Sequence, residues 1–268
     1  MSREKIFGLI GRSLSHSYSV EIHRALGQSG YELFPMEPEC IGGFLARDDL
    51  GGVNVTIPYK RDVIPYCSYL SQDAMEIGSV NTIVRDESGL LHGYNTDAYG
   101  LRYAMETAGI SLAGKKTVIF GSGGASLTAQ AVARTGGASR VVVISRNGAD
   151  NYGNLDRHYD AGVLINATPV GMYPNVGGMP ADPGLFPECS GIVDMIYNPR
   201  RSKLLMRAEE LGIPCIDGMP MLAAQAAAAE GYFFGKAVPE SEIARVTAIV
   251  RQETLNIVLV GMPGSGKT

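Results

Sequence analysis

The sequence predicts an α/β protein whose second half forms a doubly wound parallel sheet. From residue 115 onward, short runs rich in Val and Ile alternate with helical segments, which is the strand–helix–strand order of such a sheet. A glycine-rich turn joins a strand to a helix at the start of this half. The 268 residues are 45% hydrophobic and 19% charged, as expected for one large domain or two smaller ones with full cores.

In the first half, strands are predicted from short apolar runs bounded by turn residues. They comprise residues 5–10, 31–36, 52–58, 79–84 and 90–92. A helix with Ile22 and Ala25 on one face follows the loop GRSLSHSYS, and GYNTD opens another helix at Asp97. Pro58 ends the third strand because it lacks a backbone N–H.

The second half continues the alternation until two helices follow one another. The predicted strands are residues 115–120, 140–145, 161–168, 191–197 and 213–216, and the predicted helices are residues 127–136, 201–211, 219–235 and 239–253. No strand lies between the last two helices, so they depart from the parallel-sheet pattern.

The glycine-rich turn GSGGAS is predicted to bind the pyrophosphate of a dinucleotide. Gly121 permits a tight turn, Gly123 lets a phosphate approach the backbone, and amides at the start of the next helix bind it. Ser126 occupies the third glycine position of this motif, and the alternative is a tight turn without a ligand. The predicted cofactor-binding residues of the turn are Gly121, Ser122, Gly123, Gly124 and Ala125.

The end of the following strand predicts which dinucleotide binds. An acidic residue there would hold the ribose 2′-hydroxyl of NAD, but this chain has Ser145, Arg146 and Asn147. An arginine suits a 2′-phosphate and the face of adenine. We therefore predict NADP(H) as the cofactor; the alternative is that Arg146 is a solvated surface residue.

The polar residues of the third predicted strand do not identify a site by themselves. Asn54 and Thr56 share one face of this strand, and Val55 and Ile57 lie on the other. Lys60 follows just past the strand end, where ligands bind in α/β sheets. The alternative is a strand with one solvent-facing side and a surface lysine.

Three further polar residues are predicted at helix starts. Asp97 opens one helix, where amides favour a charged carboxylate, and Ser17 and Ser19 open another. Helix capping is the default explanation for all three.

Bulk composition excludes several classes of function. The net charge of −4 and isoelectric point of about 5.6 favour neither nucleic acid nor an anionic membrane as a partner. No apolar run is long enough for a membrane span, and neither cysteines nor histidines show metal-ligand spacing. We therefore expect a cytoplasmic protein without a metal site and with reduced thiols.

Together, eight segments resemble the shikimate dehydrogenase family in order and spacing. They are GRSLSHSYS, GVNVTIPYK, GSVNTI, GYNTDAYG, GSGGAS, NATPVGM, DMIYNP and DGMPMLAAQAA. The resemblance implies NADPH-dependent reduction of 3-dehydroshikimate to shikimate, in aromatic amino-acid biosynthesis. It also implies a substrate-binding domain of residues 1–100 and 219–254 and a Rossmann-type NADP-binding domain of residues 101–218, with a cleft between them.

The same resemblance implies roles for individual residues. Lys60 and Asp97 would be the catalytic pair, because a lysine beside the carbonyl oxygen can stabilise its charge and supply a proton. The residues implied to contact or support the substrate are Ser17, Ser19, Asn54, Thr56, Asn81, Tyr197 and Gln225. Thr168 and Gly218 are implied to lie at the cofactor.

The chain departs from the family pattern at three places. Val20 stands where the family usually has proline, which is expected to loosen the substrate loop. The segment between His23 and Val53 is shorter than usual, so a helix or strand is expected to be trimmed. SRN replaces the common Asn-Arg-Thr around Arg146, which leaves an NAD-dependent quinate/shikimate dehydrogenase as the main alternative.

The last fourteen residues, LNIVLVGMPGSGKT, contain a phosphate-binding loop motif at 261–268. They resemble the first strand and loop of shikimate kinase, whose substrate is the product of the dehydrogenase. We expect residues 255–268 to be the truncated start of a fused kinase domain without kinase activity, because such a loop acts through a following helix. We therefore expect no phosphotransferase activity from this chain. A catalytically silent regulatory relative is disfavoured, because Lys60 and Asp97 are both present.

Overall fold

The computed structural model describes residues 5–14 and 17–253 and has the predicted α/β class. Its strands are β1 (Ile6–Gly11), β2 (Tyr31–Pro35), β3 (Leu50–Val55), β4 (Tyr69–Leu70), β5 (Thr82–Arg85), β6 (Leu91–Tyr94), β7 (Lys116–Phe120), β8 (Arg140–Ile144), β9 (Val163–Asn166), β10 (Ile192–Asp194) and β11 (Cys215–Ile216). Its α-helices are α1 (Ser19–Ala25), α2 (Ile41–Leu45), α3 (Gln72–Ile77), α4 (Asp97–Thr107), α5 (Gly124–Thr135), α6 (Lys203–Glu210), α7 (Met219–Phe234) and α8 (Glu240–Glu253).

The first sheet is mixed and has the strand order β2-β1-β3-β5-β6-β4. Strands β1, β2 and β3 are parallel, whereas β5 runs antiparallel to both β3 and β6. Every residue of β3 is buried, because helices and loops cover both faces of this central strand. Because β3 is the third of six strands, its carboxyl end lies near the middle of one edge of the sheet.

The second sheet is wholly parallel and has the order β11-β10-β9-β7-β8. Its residues pack into two apolar clusters; one contains Ile119 and Val163 with α5, and the other contains Phe120 and Leu164 with α6. Helices on both faces are what a doubly wound sheet requires, so this part of the prediction is confirmed.

Several predicted strand ends were wrong. The third strand ends at Val55 rather than residue 58, and Ile57 is 76% exposed instead of sharing the buried face of Val55. The chain turns away there because Pro58 cannot continue the ladder. Residues 79–81 lie in a loop before β5, and the short elements α2, α3 and β4 were not predicted.

Helices α4 and α7 cross at close range, which joins the two halves of the molecule. A Cβ atom on Gly100 would lie 2.5 Å from the carbonyl oxygen of Met221, and 3.1 Å from Cβ of Gln225. Only glycine allows this approach without moving backbone. The contact brings the first turn of α4 beside Gln225 on α7.

Candidate active site

Lys60 and Asp97 form an ion pair beside the carboxyl end of β3. Lys60 Nζ donates a hydrogen bond to Asp97 Oδ2 at 2.5 Å. The two side chains are 24% and 16% exposed, so the pair is largely shielded but reachable from solvent. A positioned ammonium group of this kind can stabilise and protonate a developing oxyanion.

The backbone around Lys60 is held in place by its neighbours. Tyr59 is fully buried and its hydroxyl donates to the carbonyl oxygen of Met36 at 2.5 Å. The Val80 N–H donates to the Lys60 carbonyl at 2.8 Å. These contacts fix the turn after β3, so the direction of the Lys60 side chain is set by buried structure.

A second set of hydrogen bonds orients Asp97. Asn81 Nδ2 donates to Asp97 Oδ1 at 2.9 Å and to Gln225 Oε1 at 3.4 Å. Asn81 Oδ1 in turn accepts the N–H of Thr96 at 2.7 Å. The structure thus brings together four of the predicted residues: Lys60 and Asn81 bond the Asp97 carboxylate, and Gln225 bonds Asn81.

The cap of α4 comes from Asn95, a residue that the sequence motifs did not single out. Asn95 Oδ1 accepts the N–H groups of Asp97 at 3.1 Å and Ala98 at 3.3 Å. The Asp97 carboxylate is therefore not used for capping, which was the default explanation for this residue. The signal was present in the segment GYNTD, where Asn two residues before Asp is itself a favoured capping residue.

Asn54 is buried within the first sheet and does not face open space. Its side chain is buried, with Oδ1 accepting from the Tyr31 hydroxyl at 2.7 Å and Nδ2 donating to Thr82 Oγ1 at 3.0 Å. Thr56 is half-buried just past β3, and its N–H donates to the Ile10 carbonyl at 2.9 Å. This arrangement suits a supporting role for Asn54 and leaves the Thr56 hydroxyl available to a ligand.

The two predicted serines form a compact loop before α1. Ser17 Oγ donates to Ser19 Oγ at 3.0 Å and accepts the Ser19 N–H at 3.2 Å. Tyr18 is the N-cap of α1 and makes no side-chain hydrogen bond, so the first amide of this helix, that of Ser19, is capped by Ser17. The Tyr18 ring lies 5.4 Å from the ring of Tyr197, between ring centroids, so the end of β10 reaches the serine loop. Burial raises the pKa of Tyr197 and the neighbouring Tyr18 adds to the rise, which keeps this hydroxyl protonated.

The glycine-rich turn has the features that a pyrophosphate needs. Gly121 has φ of +104°, and a Cβ there would lie 2.9 Å from the Ala167 carbonyl. Gly123 and Gly124 face open space, and the N-cap Gly123 gives no side-chain hydrogen bond to the amides that begin α5. Exposed amides at a helix start bind anions, so this turn fits the diphosphate of a dinucleotide.

The remaining predicted cofactor residues follow other strands of the second sheet. Arg146 is exposed two residues beyond Ile144, whose carbonyl accepts the Gly121 N–H at 2.8 Å. The Thr168 hydroxyl, at the end of β9, donates to Asn166 Oδ1 at 2.6 Å. Gly218 precedes α7, where a Cβ would clash with the Met195 carbonyl. These residues lie at carboxyl strand ends of the second sheet, the edge where dinucleotides bind.

Two further features are absent from the described residues, a metal-binding cluster and a membrane-spanning helix. Across residues 5–14 and 17–253, no group of three or more His, Cys, Asp or Glu side chains is placed to hold a metal ion. None of the described helices has the length and apolar character needed to cross a membrane.

The chain is similar to known shikimate dehydrogenases over most of its length. Residues 9–83 match the family described as the shikimate dehydrogenase substrate binding domain. A shikimate dehydrogenase (NADP(+)) of Clostridium beijerinckii is 34% identical over 245 residues, covering 84% of this chain and 90% of the relative. One from Chlorobaculum tepidum is 35% identical over 273 residues, covering 88% and 92%.

Solved structures agree with these relatives. A chorismate mutase/shikimate 5-dehydrogenase fusion protein of Clostridium acetobutylicum superposes with a TM-score of 0.89 at 31% identity, covering 93% of this chain and 98% of that one. The Thermus thermophilus shikimate 5-dehydrogenase, solved with NADP(H) and shikimate, has a TM-score of 0.81 at 30% identity and covers 91% and 99%. The chain belongs to the shikimate dehydrogenase family.

Proposed function

We propose that this chain reduces 3-dehydroshikimate to shikimate with NADPH, using Lys60 as the proton donor. The observation that carries the proposal is the Lys60–Asp97 ion pair, held by Asn81 beside Gln225. NADP dependence is supported by the relatives' names and by the exposed Arg146 beside the glycine-rich turn.

The residues around the turn fit the cofactor. Gly123 and the free amides at the start of α5 would hold the diphosphate, and Arg146 would pair with the 2′-phosphate. Thr168 and Gly218 lie at the strand ends on the nicotinamide side of the proposed site. Bound NADPH supplies the hydride that the carbonyl carbon of the substrate accepts.

The chain's own residues then stabilise the charge on the carbonyl oxygen and supply its proton. As negative charge develops on the carbonyl oxygen, Lys60 Nζ stabilises it and transfers a proton to it. Asp97 keeps the ammonium group directed at that oxygen and accepts a hydrogen bond from the adjacent substrate hydroxyl. Ser17 and Ser19 hold the substrate carboxylate, and Thr56, Asn81, Tyr197 and Gln225 hold the ring.

We assign residues 1–100 and 219–254 to the substrate-binding domain and residues 101–218 to the cofactor-binding domain. The boundary at residue 100 lies inside α4. This helix packs on α7 and also contacts α5, so it would connect the two domains. All four cysteines are free thiols, which supports a reducing compartment such as the cytoplasm.

We also propose that residues 255–268 begin a fused shikimate kinase domain. The support is the apolar run LNIVLV followed directly by GMPGSGKT. These residues lie outside the described part of the chain. Sequencing the complete transcript tests the proposal: an open reading frame that continues into a nucleotide-kinase fold supports it, and a different continuation removes it.

The activity is tested by following NADPH oxidation with 3-dehydroshikimate, and in reverse by oxidation of shikimate or quinate with NADP or NAD. We expect 3-dehydroshikimate with NADPH to give the highest kcat/KM. A clear preference for quinate with NAD would replace the proposal by the quinate/shikimate alternative.

A further inference from the structure

The loop that carries Arg146 starts beside the glycine-rich turn. Phe120 and Ile144 are partners at the ends of β7 and β8, and the Gly121 N–H donates to the Ile144 carbonyl at 2.8 Å. Residues 145–151 follow and lead into a 3-10 helix, Tyr152–His158. We call residues 145–151 the adenosine loop, since Arg146 would meet the adenosine 2′-phosphate here.

The adenosine loop is held by its own hydrogen bonds. The Ser145 N–H donates to the Asp150 carbonyl at 3.2 Å, which closes the loop at its base. Asn151 and Asn154 bond reciprocally as a capping box, and Asn154 Nδ2 also donates to the Ala149 carbonyl at 2.9 Å. The loop is therefore preorganised rather than loosely attached.

Asp150 also ties the loop to the protein interior through a buried histidine. His158 Nε2 lies 2.8 Å from Asp150 Oδ1, and the histidine side chain is only 3% exposed. The aspartate side chain is 34% exposed, so one end of the bond lies at the surface and the other in the core. His158 is followed by Tyr159 and Ala161, which pack in the apolar cluster under the second sheet.

We propose that Asp150 and His158 are positioning residues that hold the adenosine loop so that Arg146 meets the 2′-phosphate of the cofactor. The proposal rests on the proposed function, because it assumes that NADPH binds at the glycine-rich turn. Neither residue touches the cofactor in this scheme. A loop that is already held loses less freedom when Arg146 binds the phosphate, so the pair improves affinity for phosphorylated adenosine specifically.

The test uses Asp150→Ala, which removes the anchor, and Asp150→Asn, whose amide oxygen can still accept from His158. Calorimetry measures binding of adenosine 2′,5′-bisphosphate and of 5′-AMP, and steady-state assays give KM and kcat with NADPH and NADH. We expect Asp150→Ala to weaken the bisphosphate and raise KM for NADPH about 3- to 10-fold, the range for immobilising one flexible side chain. Binding of 5′-AMP, KM for 3-dehydroshikimate and kcat should be unchanged, and Asp150→Asn should remain near wild type.

A matched control exists in the first sheet. His92 Nε2 lies 2.8 Å from Asp86 Oδ2 at the hairpin of β5 and β6, and the histidine side chain is 30% exposed, so Asp86→Ala removes a more exposed Asp–His pair away from the adenosine loop. It should leave both nucleotide affinities unchanged. Circular dichroism confirms folding of each variant, and Asp150→Ser replaces Asp150→Ala if the latter does not fold.

Three results would overturn the proposed role of the Asp150–His158 pair. Tighter bisphosphate binding in both Asp150→Ala and Asp150→Asn would show that the carboxylate acts by repelling phosphate. Equal weakening of bisphosphate and 5′-AMP would indicate general damage, and no change would mean that the pair is irrelevant to binding. If wild type itself fails to bind the bisphosphate, the cofactor assignment fails instead, which separates the two proposals.

Discussion

Asn95 caps helix α4 through its side chain, and this leaves the carboxylate of Asp97 for Lys60. Asn95 Oδ1 accepts two helix amides, including that of Asp97 itself at 3.1 Å, while Asp97 Oδ2 accepts from Lys60 Nζ. An aspartate at a helix start is commonly drawn to those amides. Here the preceding asparagine satisfies them, so helix capping and the ion pair with Lys60 fall to separate side chains.

Asn95→Ala is expected to lower both stability and turnover. Loss of the cap should cost about 1 kcal/mol of unfolding free energy, and the exposed amides should compete with Lys60 for the Asp97 carboxylate. Urea denaturation and kcat measure the two effects. Ser71→Ala is the matched control, because Ser71 caps α3 by accepting the Ala74 N–H at 3.3 Å, and it should lose stability with unchanged kcat. Equal kcat in the two variants would contradict this account.

Lys60→Ala is expected to reduce kcat by about 10²- to 10⁴-fold, the usual contribution of a positioned general acid. KM for 3-dehydroshikimate should change little, because the other polar residues of the proposed site would still bind the substrate. The control is Lys116→Ala, which removes a lysine that pairs with Asp160 at the amino end of β7. This variant should keep its kcat. Turnover near the wild-type value in Lys60→Ala would remove this lysine from the mechanism.

Glu230 and His23 form a buried pair between α7 and α1, and its removal should destabilise the fold. Their side chains are almost fully buried, and His23 also stacks on Tyr31 at 3.7 Å between ring centroids. Glu230→Ala leaves a buried polar ring without its partner, which should cost about 2–4 kcal/mol in urea denaturation. Glu242→Ala removes an exposed partner of Arg245 and should cost under about 1 kcal/mol.

The cysteines should differ in reactivity towards a thiol-alkylating reagent. Burial raises the pKa of Cys67 to about 11, and burial also raises the pKa of Cys189 and Cys215. A pH of 8 lies below the pKa of all three thiols, so they remain protonated and supply little of the reactive thiolate. Cys40 is exposed, and peptide mass spectrometry should find it labelled first in the native protein. Early labelling of Cys67 would contradict its burial.

The adjacent features of the site could be predicted from the sequence. The turn from β7 into α5 is local, since a strand, glycines and a helix follow one another within about twenty residues. Arg146 was placed by the same rule, because it follows the next strand directly. Short-range chemistry decides these positions, so the pattern alone was sufficient for them.

The long-range relationships depended on packing. Lys60 and Asp97 are 37 positions apart, and His23 and Glu230 are 207 apart, so no local pattern contains either pair. The family resemblance implied the first pair but not the second, nor the cap by Asn95. Ile57 fits the strand alternation, yet the chain turns outward before Pro58 and exposes it.

The sequence by itself determined the class of fold, the glycine-rich turn between β7 and α5, and the residue types available for chemistry, because these follow from periodicity and local turn preferences. The tertiary structure alone decided which polar groups meet. The close approach of α4 and α7 at Gly100 brings Gln225 beside Asn81 and Asp97, and the burial of Tyr59 directs Lys60 at the same carboxylate. Contacts of this kind depend on how helices and sheets pack against one another. That packing is decided by many contacts between residues far apart in the sequence, so no single segment contains it.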